Sequence, residues 1–313
     1  MYKINNKPSS YCHRQNPLED KQYFYELIQN IDLDGDECID DKRRCYVMLG
    51  FAVDEGVKRN QGRIGAKAGP QSFRDCFYNL PIQRDNFTLF DAGNIECING
   101  DLETAQKMLG HYVAKILNMG AIPLIIGGGH ELAWGDLQGF YACKKNPVIV
   151  NFDAHLDLRE TLPGDLGSSG TPFYQASQHQ KSQNKLFDYH VIGVQPYANS
   201  RALFDYATAH QVKLHFAEDI RHNPNDFRFI DNISDKAELY VTVCMDAFSS
   251  AQAPGVSAPQ VLGIDAQYVI DAIKKLKQTR VITALSIAEL NPKYDINNCT
   301  AKLAAIIMAA FIH

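Results

Sequence analysis

The segment Asn151-Phe152-Asp153-Ala154-His155-Leu156-Asp157 places two carboxylates and an imidazole at alternate positions. It follows the apolar run Val148-Ile149-Val150, so D-x-H-x-D falls at the carboxyl end of an expected buried strand, where open α/β sheets carry their sites. With a side-chain period of two, Asp153, His155 and Asp157 point roughly the same way. Carboxylates gathered this closely repel one another unless a cation neutralises them. Two further segments repeat the layout. Leu124-Ile125-Ile126-Gly127-Gly128-Gly129-His130-Glu131 is an apolar run, a glycine turn, then His130 at the start of a helix. No Lys-Ser/Thr pair follows the glycines, which removes a P-loop. They are expected instead to let the backbone approach a bound ion or substrate. Tyr240-Val241-Thr242-Val243-Cys244-Met245-Asp246 ends another strand in a thiol and a carboxylate, and leads into Ala253-Pro254-Gly255-Val256-Ser257-Ala258-Pro259.

Taken together, His130, Asp153, His155, Asp157, Cys244 and Asp246 form a candidate ligand set dominated by oxygen and nitrogen. That chemistry suits a hard or borderline ion such as Mn²⁺. Six candidates exceed the four of a zinc site, so two ions sharing carboxylates is the natural arrangement. Other motifs fall away. Asn30–Asp36 imitates the start of an EF-hand, but Glu37 and Asp41 stand at its eighth and twelfth positions, so it reads as an acidic surface loop. His190, His215 and His222 lack ligand spacing and read as core or solvent-facing. No G-x-S-x-G elbow supports a serine hydrolase.

The elements that must position these side chains alternate along the chain. Strands are expected at 45–51, 87–90, 122–126, 148–152, 190–194, 239–245 and 281–287, and helices at 70–79, 103–118, 131–143, 200–210, 266–277 and 300–312. A helical stretch over 18–29 precedes them. Alternation with continuously apolar strands predicts a mostly parallel sheet with helices on both faces. The polar stretches 159–184 and 219–237 are long for connections and read as functional loops. No linker divides the 313 residues, so one domain is expected. The eight cysteines are scattered without CxxC pairs and read as free thiols of a reducing cytoplasm. No apolar run approaches a membrane span, and the polar amino terminus lacks the core of a secretion signal. The net charge of −5 favours a small-molecule partner over nucleic acid or membrane.

The landmarks GGGHE, NFDAHLD, V-x-C-M-D…APG and Ala288-Glu289-Leu290-Asn291-Pro292 resemble those of the arginase–agmatinase (ureohydrolase) family, in the family's order and across most of the chain. The resemblance implies a three-layer αβα fold with a central parallel sheet of about eight strands. It also implies a single catalytic domain over residues 1–313, with 1–44 as an extension packed on it. Two Mn²⁺ are implied, held by His130, Asp153, His155, Asp157 and Asp246, with Cys244 standing where the family usually has a bridging carboxylate. A softer ligand there bears on the second ion. Glu289 falls on the acid that grips the amidine or guanidine of the substrate. Asp157 is placed to pass a proton to the leaving amine. Many relatives form trimers or hexamers, which implies a homo-oligomer.

Within that family, Ser168-Ser169-Gly170-Thr171 replaces the His-Gly pair common in arginases and agmatinases, and Arg159 follows Asp157-Leu158. Arg159, helped by Ser169 or Thr171, suits an extra substrate carboxylate. Arg59 and Arg63 are further basic candidates. This combination, with APGVSAP, resembles the formimidoylglutamases of bacterial histidine degradation, which implies cleavage of N-formimidoyl-L-glutamate to L-glutamate and formamide. The rivals are a guanidine hydrolase of agmatinase or guanidinobutyrase type and a catalytically silent metal-binding scaffold.

Overall fold

The computed structural model describes residues 2–3, 23–35, 39 and 41–313. Eight strands of four or more residues form the sheet: β1 (Arg44–Ala52), β2 (Phe87–Glu96), β3 (Ile122–Gly127), β4 (Val148–Phe152), β5 (Tyr189–Val194), β6 (Lys213–Phe216), β7 (Glu238–Cys244) and β8 (Val281–Ala288). They lie in the order β2-β1-β3-β8-β7-β4-β5-β6, and every neighbouring pair is parallel. Two-residue strands at Tyr2–Lys3 and Gln29–Asn30 add to β2, antiparallel and parallel respectively.

The apolar strand sequences are explained by cover on both faces. Tyr46 and Met48 face one core while Val47 and Leu49 face the other, the alternation of a pleated strand. On the first face lie α1 (Gly69–Phe77), α6 (Ala266–Thr279) and α7 (Cys299–Ile312); on the second lie α2 (Leu102–Asn118), α3 (Leu132–Ala142), α4 (Pro172–Ser182) and α5 (Arg201–Ala209). The result is the expected three-layer αβα arrangement around eight parallel strands. Helix starts are marked in the sequence: the Asp101 carboxylate accepts from Thr104 N at 3.0 Å and Asp265 from Gln267 N at 2.8 Å, each satisfying an otherwise unpaired first-turn donor.

Some expectations are corrected. The stretch 159–184 is not loop throughout, because α4 occupies its second half and buries Phe173, Ala176, Ser177 and Gln180. Its composition is polar, which hid the helix. The stretch 219–237 contains the end of a short helix, Ala217–His222, and a 3-10 turn, Arg228–Asn232. Strand β6 was not foreseen, since all four of its residues are only half-buried at the sheet's edge. Of the helix expected over 18–29, residues 18–22 lie outside the described residues and only Phe24–Leu27 is helical in the remainder. Phe24 packs on Phe77 with ring centroids 4.3 Å apart, tying the leading segment to α1. Cys12, Cys38, Asp36 and Glu37 lie outside the described residues. The remaining six cysteines are free. In the acidic loop, Asp34 accepts from the Tyr112 hydroxyl at 2.6 Å, so it is pinned to α2. His190 is buried in the core and stacked on His215, with ring centroids 6.1 Å apart.

Candidate metal centre and substrate cleft

The carboxyl ends of four adjacent central strands, β3-β8-β7-β4, supply the chemistry. His130 follows β3, Glu289 follows β8, Cys244 and Asp246 end β7, and Asp153, His155 and Asp157 follow β4. This is the switch point of the sheet, where β3 hands over to β4 across the inserted β8 and β7. Two triplets of ligand atoms each fit within 4.8 Å: His130, Asp153 and Cys244, and Asp153, His155 and Asp246. Asp153 belongs to both. His130 Nδ1 lies 2.9 Å from Asp153 Oδ2 and 3.0 Å from Asp157 Oδ2. His155 Nδ1 lies 3.3 Å from Asp246 Oδ2. Each ring turns its other nitrogen to a partner, His130 Nε2 to Thr242 Oγ1 at 3.1 Å and His155 Nε2 to Gln260 Nε2 at 3.3 Å.

These residues fit a cation better than they fit one another. His130 Nδ1 is buried and close to two carboxylates, yet makes no properly directed hydrogen bond to either. Its lone pair and the carboxylate oxygens converge on shared space, as ligands do. Burial pushes the Asp157 carboxyl up to about 6, with the Asp153 charge adding to it. Burial likewise raises Glu289 to about 7, assisted by Asp246. Burial disfavours a charged His130, but contacts with Asp153 and Asp157 outweigh it and hold the imidazole well above its usual range. The Cys244 thiol is pushed well above its usual range by burial and by Asp153, and its Sγ donates to Asp246 Oδ1 at 2.8 Å. Burial, with crowded negative charge adding to it, thus favours protons on Asp157, Glu289 and Cys244, a demand that a divalent ion satisfies in their place.

The backbone is bent to serve the cluster. Asp157 (φ 48°) and Glu289 (φ 63°) both adopt the left-handed conformation, which costs a non-glycine residue on the order of 1–3 kcal/mol. Glu289 is fixed at both oxygens: Oε1 accepts from His130 N at 3.0 Å and Oε2 from Ser257 Oγ at 2.6 Å. The glycine turn serves the scaffold rather than a ligand. A Cβ on Gly128 would sit 1.9 Å from Val53 O, and Gly128 N and Gly129 N donate to Phe51 O within β1 and to Val53 O just after it. The expectation that these glycines approach an ion or substrate is therefore corrected: they let β1 and β3 close together.

Above the cluster opens a cleft of about 310 Å³ whose lining includes Asn60, Arg63, Arg159, Ser169, Ser257 and Glu289. Arg159 is exposed, and among the described residues its guanidinium has no ion pair or hydrogen bond. Arg63 also reaches the cleft, but its Nε and Nη2 donate to Ser257 O (3.2 Å) and Val256 O (2.5 Å) and its guanidinium lies 4.1 Å over the Tyr294 ring. It holds the loop carrying Ser257, which in turn holds Glu289. Arg59 is tied to Glu103 at 2.6 Å and to Gly167 O at 3.0 Å. Thr171 is buried away from the cleft and donates to Ser168 O at 3.0 Å. Ser257, Gln260 and Thr242 were missed by motif reading, and only the Ser-containing APGVSAP segment offered a signal. A larger groove, about 780 Å³, lies at the opposite edge of the sheet between α6 and α7, but its lining of Leu80, Pro81, Ile306, Arg84, Lys274 and Lys277 among others offers no carboxylate for a metal.

An αβα sheet with a histidine- and carboxylate-rich cluster at the carboxyl ends of its central strands defines a class of α/β protein with a candidate metal centre at the sheet's switch point. A sequence profile described as Arginase family matches residues 44–313, and the chain belongs to that family. It is 37% identical to the formimidoylglutamase of Clostridium tetani, over 100% of this chain and 97% of that protein. It is also 37% identical to the formimidoylglutamase of Legionella pneumophila, over 93% and 92% of the two chains. A crystal structure of Trypanosoma cruzi formiminoglutamase with Mn²⁺₂ superimposes with a TM-score of 0.80 at 27% identity, covering 94% of this chain and 98% of that one. The formimidoylglutamase from Bacillus subtilis matches the fold with a TM-score of 0.84 at 20% identity, over 98% and 95%. Among the described residues, no helix is long and apolar enough to cross a membrane.

Proposed function

We infer that this chain is a hydrolase of C–N bonds in linear amidines, cleaving N-formimidoyl-L-glutamate to L-glutamate and formamide. The observation that carries the reading is full-length likeness to formimidoylglutamases, joined to a cleft with Glu289 at its floor and an unpaired Arg159 at its wall. His130, Asp153 and Cys244 would hold one Mn²⁺, and Asp153, His155 and Asp246 the other, with Asp157 beside His130. When bound, the metals lower the pKa of water so that hydroxide is available near neutral pH.

The chain's own residues do the rest. Glu289, held by His130 N and Ser257 Oγ, presents a fixed carboxylate to the protonated formimidoyl nitrogens and sets the electrophilic carbon over the cluster. Asp157 takes the proton of the attacking water and delivers it to the glutamate nitrogen as the C–N bond breaks. Arg159 receives the glutamate carboxylates through charge-assisted hydrogen bonds, with Ser169 beside it. Thr171 and Arg63 serve this site through the loops they fasten. The reading carries with it a single catalytic domain with residues 1–44 as its extension, and a cytoplasmic homo-oligomer acting in histidine degradation.

The test offers the Mn²⁺-loaded protein N-formimidoyl-L-glutamate and 4-guanidinobutyrate, and measures formamide, urea and ammonia. Formamide as the dominant product is expected. Preferred release of urea would transfer the assignment to a guanidine hydrolase, and a loaded protein that turns over neither would leave a scaffold.

A further inference from the structure

The wall of the cleft holds a second polar side chain that the protein leaves unengaged. Asn60 lines the cleft with Arg159 and Ser169, is exposed, and its amide makes no side-chain hydrogen bond among the described residues. An exposed amide needs no partner, so its position is what matters. A Cβ on Gly170 would lie 2.9 Å from Arg159 Cδ, 3.3 Å from Arg159 Nε and 3.3 Å from Asn60 Nδ2. The two side chains therefore flank one small space, kept open because residue 170 has no side chain. Asn199, the other asparagine of the lining, is by contrast committed: its Oδ1 accepts from Leu156 N and its Nδ2 donates to Ala154 O, both at 2.9 Å.

The spacing of Asn60 and Arg159 is set by the framework. Asn60 closes the short helix Glu55–Arg59, its N–H donating to Gly56 O at 2.9 Å. Arg59, the residue before it, donates through Nη1 to Gly167 O at 3.0 Å and pairs with Glu103 Oε1 at 2.6 Å. Gly167 N donates to that same carboxylate oxygen at 3.0 Å. The end of the helix is thus clasped to the turn 167–170, and from that turn Gly170 O accepts from Arg159 N at 2.9 Å. Backbone on both sides of the gap is fixed before a ligand arrives, so little of it must be ordered on binding.

We propose that Asn60 is a specificity-determining residue: across Gly170 from Arg159, its amide N–H and the guanidinium take one carboxylate of the substrate between them. A carboxylate has two oxygens and about four acceptor sites, enough for both groups. A glutamate end uses every donor offered there. A chain ending in an ammonium meets only donors and a like charge, so the same gap discriminates against it.

The proposal rests on the function read above, and its test keeps the two apart. Values of kcat and KM for N-formimidoyl-L-glutamate are measured on Mn²⁺-loaded protein, and L-glutamate binding is followed by calorimetry. Asn60→Ala removes a hydrogen bond to a charged group, so KM should rise by about tenfold with kcat changed by less than about twofold. Asn60→Asp keeps the shape, but sets a carboxylate against the substrate's own and offers Arg159 a competing partner. Its KM should rise further, by about 50-fold. A merely structural role predicts the reverse order, since aspartate preserves the form of the side chain. Gly170→Ala narrows the gap from the other side and displaces Arg159, so KM should rise by about tenfold. The dissociation constant of L-glutamate should follow the same order. Parent-like KM and glutamate affinity in Asn60→Ala would overturn the proposal, as would an Asn60→Asp protein no worse than Asn60→Ala. If Asn60→Ala does not fold, Asn60→Asp and Gly170→Ala decide by the same criterion of raised KM. A parent protein that neither turns over N-formimidoyl-L-glutamate nor binds L-glutamate would instead sink the function reading itself.

Discussion

The floor of the cleft and its wall are built on different principles. The floor is drawn from four adjacent strand ends, is buried, and crowds carboxylates and imidazoles whose closest approaches are poor hydrogen bonds. The wall is drawn from loops, and its arginines differ by what already holds them. Arg63 has its donors committed to Val256 and Ser257, and Arg59, outside the cleft lining, to Glu103 and Gly167. The Arg159 guanidinium has no hydrogen-bond or ion-pair partner among the described residues. Among the arginines, a guanidinium already held by the protein keeps the site in shape, whereas the one left without a protein partner is available to a ligand.

Substitutions in the two regions should act differently. The largest effect is expected at the floor. Glu289→Gln removes the charge facing the amidine, so kcat/KM should fall by about a thousandfold, in line with loss of a buried charge pair, while Mn²⁺ content stays unchanged. Retained turnover would remove Glu289 from substrate contact. At the wall, Arg159→Met should raise KM by about 30- to 100-fold with a smaller change in kcat, as for loss of charged hydrogen bonds made before and during reaction. A fall in kcat alone would mean that Arg159 does not bind the substrate's carboxylates. Arg63→Met should do the reverse, lowering kcat by about tenfold through a loosened Ser257–Glu289 contact with KM little changed. If its KM rises as steeply as that of Arg159→Met, the distinction between free and committed arginines fails. Cys244→Asp tests the floor's softest member: a thiol in the coordination sphere predicts a tighter second Mn²⁺, about tenfold, when Mn²⁺ is titrated into metal-stripped protein. Metal number and affinity identical to the parent would place Cys244 outside that sphere. The smallest effect is on stability. Chelation should lower the melting temperature by about 5 °C if the protein is normally held near a hundredfold above Kd.

The same division governs what was readable beforehand. Floor residues come in strings such as Asp153-Ala154-His155-Leu156-Asp157, where local spacing after an apolar run reports both the strand and the direction of the side chains. The order β3-β8-β7-β4 was not readable from pattern alone, because nothing local to Val281–Ala288 says that it inserts beside Ile122–Gly127. Thr242 looked like an ordinary strand residue, since its partner His130 lies more than a hundred residues away. Arg63 looked like Arg159 for the opposite reason: sequence displays a guanidinium but not what already occupies it. Helix α4 was hidden because its polar residues outnumber the Phe173 and Ala176 face that anchors it.

One feature of the topology carries a consequence for how the protein is made. β8 begins at Val281, late in the chain, yet it lies in the middle of the sheet between β3 and β7. During synthesis the halves β2-β1-β3 and β7-β4-β5-β6 can each begin to pair, but the seam between them stays open until the last strand emerges from the ribosome. Glu289 leaves with it and seats on His130 N, 159 residues earlier. Closing so long a loop is slow, and two apolar strand edges stay unpaired meanwhile, an aggregation hazard that ends only with β8. A protein arrested shortly before residue 281 would carry every candidate metal ligand in its sequence and still have no floor to its cleft.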